Sequence, residues 1–204
     1  MIRTLLAGML MCGLMISQPT RADDHPAQKL VQETAEKILT SLRAEREVVV
    51  KDNKRVFELV DAIIFTHFDF NKMAAWVLGK HWRKASKDQK DRFTHEFKVL
   101  LVRTYSKALV DNMDRAIEYL PLRAKEGTED LTVRTEIPQS GGFPLPINYS
   151  MYLKNGAWKV YDVDIDGISM VKNYRTTFGA EINKGDVDAL IEKLKTRNIE
   201  AQDE

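Results

Sequence analysis

The stretch MYLKNGAWKVYDVDI, residues 151–165, determines how the C-terminal half of the chain folds. Apolar and polar residues alternate on both sides of Asn155-Gly156, a dipeptide that is typical of a two-residue type I′ turn. A turn at that position pairs Leu153 with Trp158, which starts a hairpin with one apolar face. The sequence therefore predicts two antiparallel strands joined by a tight turn.

The register set by this turn brings carboxylates onto the apolar face further along the hairpin. It places Tyr149 opposite Asp162 and Ile147 opposite Asp164. Either a β-bulge near Asp162 shifts the phase of the strand, or the apolar face ends there in a polar rim. We favour the bulge, because the apolar pattern continues at Val163 on the other face of the strand.

The mature chain has two halves of different composition. From Pro26 to Met113 there is one glycine and no further proline, and the apolar residues recur at helical spacing. This half predicts helices over about 26–46, 53–66, 70–79 and 87–113. The second half contains prolines, turn dipeptides and alternating β-branched residues, and it predicts strands over about 115–126, 130–138, 145–154 and 157–166, followed by a helix over about 186–197. Helices followed by strands indicate an α+β fold with an antiparallel sheet.

The longest predicted helix has a central position. Ser86 and Gln89 have the spacing of a capping box at its start. Phe93 and Phe97 belong to one apolar stripe, whereas Val102 belongs to a second stripe on another side of the helix. A helix that is apolar on several sides is buried in the middle of a domain.

The N-terminus is typical of an exported protein. A basic Arg3 precedes the apolar run 5–16, and small residues precede a cleavage point after Ala22, so residues 1–22 are predicted to be a cleaved signal peptide. Cleavage removes Cys12, the only cysteine, and two arginines, so the formal charge of +1 becomes −1. A near-neutral chain without cysteine argues against nucleic-acid binding, disulfides and thiolate metal sites.

Few residues suggest catalysis or metal binding. His67, His81 and His95 lack the spacing of metal ligands, and no phosphate-binding loop or nucleophile motif is present. Asp162 and Asp164 alternate along one strand and could act as an acid–base pair. The helical half and the hairpin are also rich in aromatic and methionine side chains, which are found both in ordinary cores and in adaptable pockets for apolar ligands.

Several stretches together carry a family resemblance. They are FDFNKMA (68–74), VLGKHWR (77–83), the helix 89–109, WKVYDV (158–163) and GISMVKNYR (167–175). In order and spacing, the chain resembles the toluene-tolerance (Ttg2/Mla) family of periplasmic phospholipid-binding carriers, which is MlaC-like. The resemblance extends over essentially the whole mature chain.

This resemblance implies a fold, a location and a set of partners. The implied fold is a curved four-stranded antiparallel sheet packed with about five to seven helices around a deep apolar cavity. The implied role is that of a phospholipid carrier in the Gram-negative periplasm, which moves lipids between the membranes and maintains outer-membrane lipid asymmetry. Its partners would be an inner-membrane ABC transporter complex with its lipid-binding subunit and an outer-membrane lipoprotein–porin complex. No cofactor and no enzymatic activity are expected.

The expected tail pocket lies between helices 70–79 and 87–113 and the inner face of the sheet. The residues predicted to line it are Met73, Trp76, Phe97, Leu101, Tyr105, Tyr149, Met151, Trp158, Val160, Met170 and Tyr174. Residues 167–178 are expected to form a rim segment of this pocket, in which Met170 points inward.

Residues 23–204 are expected to form a single lipid-carrier domain. Its parts would be a mainly helical region (23–113), the antiparallel sheet (114–166) and the rim segment with the terminal helix (167–204). Two other functions stay open at this stage. One is a carrier of another apolar molecule, such as a hopanoid, and the other is a periplasmic cavity enzyme that uses Asp162 or Asp164.

Overall fold

The structure, a computed structural model, describes residues 25–125 and 127–200. The predicted signal peptide, residues 1–22, lies outside these ranges. The described helices are α1 (Pro26–Ala44), α2 (Arg46–Val49), α3 (Asn53–Ile63), α4 (Phe70–Leu78), α5 (Lys80–Lys84), α6 (Lys87–Asp111), α7 (Met170–Ile182) and α8 (Val187–Glu200), with a 3-10 helix at Phe65–His67. None of the helices within these ranges is both long and apolar enough to cross a membrane.

The strands form one antiparallel sheet in the order in which they occur in the chain. They are β1 (Glu118–Tyr119), β2 (Asp130–Ile137), β3 (Leu145–Lys154), β4 (Ala157–Ile165) and β5 (Ile168–Ser169). The α+β prediction is confirmed, although the sheet has five strands instead of four. The predicted strand 115–126 shrinks to two residues, because Pro121 soon follows and has no N–H for the ladder. The fifth strand is a two-residue return that pairs with the end of β4.

The hairpin β3–β4 forms at the predicted turn. Asn155 has a φ of 52° and Gly156 a φ of 79°, the left-handed values that a type I′ turn requires. Leu153 lies opposite Trp158, as predicted. The Asn-Gly dipeptide therefore sets the register of the turn end of the sheet.

The predicted β-bulge is confirmed, and it keeps one face of the sheet apolar. Val160 pairs with Met151 but Asp162 pairs with Ser150, so Tyr161 has no partner on β3. The uninterrupted register is wrong beyond this point: Tyr149 lies opposite Val163, and Ile147 lies opposite Ile165. One extra residue reverses the phase of the strand and turns both carboxylates away from the apolar face.

Residues 170–182 form a helix, whereas the sequence was interpreted as an irregular rim segment there. Ser169 is the N-cap of α7 and accepts a hydrogen bond from the backbone N–H of Lys172 at 3.1 Å. The buried side chains of α7 include Phe178, the last residue of the interpreted segment 167–178, and Ile182, which lies beyond it. The residue spacing predicted five helices. Helix α7 and the short helices α2 and α5, of 4 and 5 residues, bring the number of described α-helices to eight.

Helix α6 occupies the predicted central position. Ser86 and Gln89 make both hydrogen bonds of the capping box. Phe93 and Phe97 are fully buried in a core formed by α4, α6, α7, α8 and the sheet, whereas Val102 belongs to a second core with α1, α2 and α3. The two cores meet on α6, and the space next to that junction remains unfilled.

Candidate functional site

An apolar cavity of about 430 Å³ lies between the two cores, a volume typical of ligand pockets. Its walls come from α1, α3, the 3-10 helix, α6 and the inner face of the sheet. The lining includes Leu30, Val31 and Ile38 of α1, Val60 and Ile64 near the end of α3, Leu101, Val102 and Leu109 of α6, and Ile147, Val163 and Ile165 of the sheet. No Asp, Glu, Lys or Arg is among the described residues that line it. The uncharged, apolar lining of the cavity therefore suits the hydrocarbon part of an amphiphile.

The shape of the sheet makes room for this cavity. The bulge at Tyr161 restores an apolar inner face over the whole length of β4, and bulges also increase the local twist of a strand. The inner-face residues Tyr149 and Ile147 keep accessible surface, although protein surrounds them, since they border the cavity. Burial raises the pKa of Tyr149 to about 12, so its hydroxyl is neutral at physiological pH.

Six of the eleven predicted lipid-contact residues line the cavity. They are Leu101, Tyr105, Tyr149, Met151, Val160 and Met170. Burial, together with the hydroxyl of Tyr174, raises the pKa of Tyr105, so this phenol is also neutral. The cavity is thus surrounded by side chains that carry no charge over the physiological pH range.

The other five predicted residues lie elsewhere. Met73 and Phe97 have no exposed surface and fill the first core, since α7 packs against α4 and covers that side of it. Tyr174 also packs in that core, with its ring centroid 5.4 Å from that of Phe97. Trp76 is 46% exposed on the outside of the molecule, and Trp158 packs edge-on against His25.

The sequence interpretation missed the walls formed by α1, α3 and the 3-10 helix. In α1, the row Leu30, Thr34 and Ile38 and the adjacent row starting at Val31 both face the cavity. Two adjacent apolar rows form a wider band than helix packing alone needs, and this width was the available signal. Phe65 gave no signal, because the 3-10 helix Phe65–His67 follows neither helical nor strand spacing.

A polar cleft of about 630 Å³ adjoins the cavity beside the β3–β4 turn. Phe65, Phe68 and Phe70 line both spaces, so these three rings form the partition between them. The cleft also contains the side chains of Lys98, Lys154, Lys159 and Asp69. An apolar chamber and a predominantly basic cleft thus share one wall.

Asp69 is the buried carboxylate at the edge of this cleft. It caps α4 by accepting a hydrogen bond from the N–H of Lys72 at 3.0 Å, and it also accepts from Lys154 at 2.6 Å and from the hydroxyl of Tyr152. Burial alone would raise the pKa of Asp69, but these donors outweigh it and hold the pKa below its usual value. The ionised carboxylate therefore ties α4 to the hairpin.

Asp162 and Asp164 do not line the cavity. Asp162 accepts hydrogen bonds from the hydroxyl of Ser169 and, at 3.1 Å, from the N–H of Val171. Asp164 accepts from the N–H of Gly167 at 3.0 Å and from the side chain of Asn148 at 3.3 Å. Both carboxylates hold the connection from β4 to α7, so the geometry required of an acid–base pair in the cavity is absent there.

No metal site is evident in the described ranges, where no three His, Cys, Asp or Glu side chains are grouped closely enough to hold an ion. His67 is the one histidine among the described residues that line the cavity. Burial, with Lys159 and Lys37 nearby, lowers its pKa, so the imidazole is mainly neutral at pH 7. No Asp, Glu or Cys accompanies this imidazole among the described residues that line the cavity.

The fold and the site define a class of protein: an α+β binding protein that encloses an uncharged apolar cavity with a basic cleft at one edge. A model of the family described as MlaC protein matches residues 32–196. The chain belongs to the MlaC protein family, and the resemblance inferred from the sequence is confirmed.

The curated relatives agree with this membership. The chain is 22% identical over 189 residues to the intermembrane phospholipid transport system binding protein MlaC of Haemophilus influenzae, covering 91% of this chain and 88% of the relative. It is 27% identical over 195 residues to toluene tolerance protein ttg2D of Pseudomonas putida, covering 94% and 90%.

A solved structure has the same fold. It is the phospholipid-binding protein from Ralstonia solanacearum in complex with a phospholipid, and it matches this chain with a TM-score of 0.80 at 29% identity. The match covers 87% of this chain and 99% of that protein. The expected fold around an apolar cavity is confirmed.

Proposed function

We propose that this protein is a phospholipid carrier that encloses the acyl chains in the apolar cavity and leaves the headgroup in contact with water. The observation that carries this proposal is the uncharged cavity of about 430 Å³ in a chain of the MlaC family. The phospholipid in the complex of the similar Ralstonia protein supports it. The role requires no catalytic group.

The physical task is to lower the cost of moving a lipid through water. A phospholipid has on the order of 30 tail methylenes at about 0.8 kcal/mol each, so leaving a bilayer for water costs roughly 25 kcal/mol. A cavity lined by aliphatic and aromatic side chains replaces that contact with water. Since a passive cavity binds the same lipid in either direction, the direction of transport has to come from the partners.

The finer parts of the proposal follow from the family. We place the carrier in the periplasm after removal of residues 1–22, with residues 23–204 acting as one lipid-carrier domain. Its partners are then an inner-membrane ABC transporter complex with its lipid-binding subunit and an outer-membrane lipoprotein–porin complex. Its role in the cell would be to maintain outer-membrane lipid asymmetry. The name of the Haemophilus relative, which refers to intermembrane phospholipid transport, supports this part.

The direct test is organic-solvent extraction of the purified protein followed by mass spectrometry. We expect about one phospholipid per chain, and the same loading after incubation of stripped protein with vesicles. A stoichiometric hopanoid or another apolar molecule would indicate the alternative carrier function. Absence of any bound lipid, together with no uptake from vesicles, would overturn the proposal.

A pair of alanine substitutions localises the lipid. Ala35 lines the cavity on α1, whereas Ala62 is exposed on α3. Ala35→Phe fills part of the cavity and is expected to reduce lipid loading about tenfold, as expected for a few kcal/mol of overpacking against the tails, while Ala62→Phe should leave it unchanged. Equal loading of the two variants, both folded by circular dichroism, would show that the tails occupy another place.

A further inference from the structure

The cleft beside the β3–β4 turn carries an excess of positive charge. Its ionisable lining residues are three lysines and one aspartate, and that aspartate is already engaged by Tyr152, Lys154 and the N-terminus of α4. Lys159 donates to the carbonyl oxygen of Thr66. Lys154 and Lys159 therefore each donate to one acceptor, and each ammonium group can donate to a second one.

Lys98 is the most informative of these residues. Its ammonium group lies 4.9 Å from the ring centroid of Phe70 and 5.4 Å from that of Phe65. In the part of the chain that the structure describes, no carboxylate lies within ion-pair distance of it. Its side chain is half-buried, so a cation without a counter-ion is held against the aromatic partition of the cavity.

The opposite end of the cavity differs in its charges. There the lining residues include Asn112 and Ile117, and the chain between them contains Asp114. Asp114 pairs with Arg46 at 2.6 Å and lies 3.8 Å from Arg43, so these two arginines share a carboxylate partner. Among the described residues that line the cavity or the cleft, the three lysines of the cleft are the only lysine or arginine side chains, and they adjoin the apolar partition.

We propose that this cleft binds the phosphate of the lipid headgroup, with the acyl chains passing the Phe65, Phe68 and Phe70 partition into the cavity, and that it favours lipids of net negative charge. The inference rests on the proposed function, because it needs the tails in the cavity. Lysine binds phosphate as a point charge on a flexible stem, and the three stems reach the cleft from α6, β3 and β4.

Paramagnetic labelling tests the position of the headgroup. Ala157 lines the cleft, and Ser140 is exposed in the β2–β3 loop at the other end of the sheet, about 30 Å away along β3. Cys12 precedes the predicted cleavage point, so Ala157→Cys and Ser140→Cys each give the mature chain a single labelling site. A nitroxide at 157 should broaden the phosphorus-31 resonance of bound lipid, and one at 140 should not. The reverse pattern, or equal broadening, would overturn the proposal.

Two lysine substitutions on α6 test the charge preference. Lys98 and Lys90 are both half-buried and both contact an aromatic ring, but Lys90 contacts Trp82, away from the cleft. Stripped protein is loaded from vesicles of equimolar dioleoyl phosphatidylglycerol and dioleoyl phosphatidylethanolamine. Wild type and Lys90→Gln should take up more phosphatidylglycerol, and Lys98→Gln should reduce that preference about threefold, as expected for loss of one partly screened charge contact.

The outcomes separate this inference from the proposed function. Uptake of neither lipid by the wild type contradicts the carrier function itself. Uptake of both lipids in equal amounts, or equal preference in the two variants, leaves the carrier function intact and overturns the headgroup site. Inorganic phosphate tests the other source of the same chemistry. If phosphate alone perturbs the amide resonances of the cleft as strongly as the lipid does, the cleft is a free-phosphate site instead.

Discussion

Asp69 shows how much one buried side chain contributes to this fold. It receives donors from α4 and from β3, so it joins the helical half to the sheet next to the Phe65–Phe70 partition. Because the pKa of Asp69 is lowered in the folded protein, its ionised form contributes stability above its unfolded pKa of about 4, and this contribution is lost as the pH falls through the lowered value.

Asp69→Asn is therefore expected to reduce the free energy of unfolding by about 2–3 kcal/mol at pH 7, since Lys154 and Tyr152 then donate to a neutral side chain instead of a buried carboxylate. Urea denaturation at pH 7 and pH 3 measures the effect, and the difference from wild type should shrink at pH 3. Asp52→Asn is the matched control, because Asp52 caps α3 at an exposed site and Asn caps equally well. Similar losses for the two variants would mean that the Asp69 contacts add little.

The sequence predicted individual site residues unevenly. Tyr149, Met151 and Val160 follow from the hairpin register, since the Asn-Gly turn decides which residues share the inner face. The position of Trp76 did not follow from the sequence, because a large aromatic residue on a helix can pack in a core or against a surface ring. Trp76 packs against Tyr161, with the ring centroids 5.0 Å apart. Spacing defines a face of a helix but not what covers that face.

At the scale of elements, Gly79 governs how α4 joins α5. It has a φ of 55° and a ψ of −119°, a combination open to glycine but strained for other residues. A Cβ at this position would also lie 3.2 Å from the guanidinium of Arg175 on α7. The sequence predicted that a helix ends at Gly79, but only the tertiary structure shows that α7 packs next to it.

Two glycine substitutions should therefore have opposite effects. Gly79→Ala is expected to lower the free energy of unfolding by about 2 kcal/mol, through backbone strain and the close approach of Arg175. Gly179→Ala lies inside α7 with nothing near its Cβ position, and it should raise the free energy of unfolding by up to about 1 kcal/mol. Thermal or urea unfolding measures both, and destabilisation by Gly179→Ala would contradict the assigned helix.

At the scale of the whole molecule, the cavity makes stability depend on its ligand. A cavity of about 430 Å³ left empty costs on the order of 10 kcal/mol at about 24 cal/mol per Å³, which is comparable to the total stability of a domain. Apolar cavities stay dry, so water does not repay this cost. The lipid-free protein should therefore be much less stable than the loaded one, or the cavity should partly collapse.

We expect removal of lipid to lower the Tm by roughly 10–20 °C, using about 2–4 °C per kcal/mol for a chain of this size and allowing for partial collapse. Calorimetry of loaded, stripped and reloaded protein measures it. Ala35→Phe fills part of the cavity, so its stripped form should melt above stripped wild type. Identical melting of loaded and stripped wild type would show that the ligand does not occupy the cavity.

The sequence alone determined the α+β class, the turn at Asn155-Gly156 and the buried position of α6, and it favoured the β-bulge near Asp162 over a polar rim. Each of these depends on local conformational preference or on the periodicity of apolar residues, and both are properties of the chain itself. The tertiary structure alone decided that α7 covers α4 and that α1 and α3 form the other wall of the cavity. A cavity remains where the side chains of several elements are too short to fill the space between those elements. Its volume therefore depends on the distances between the elements, which no single stretch of sequence specifies.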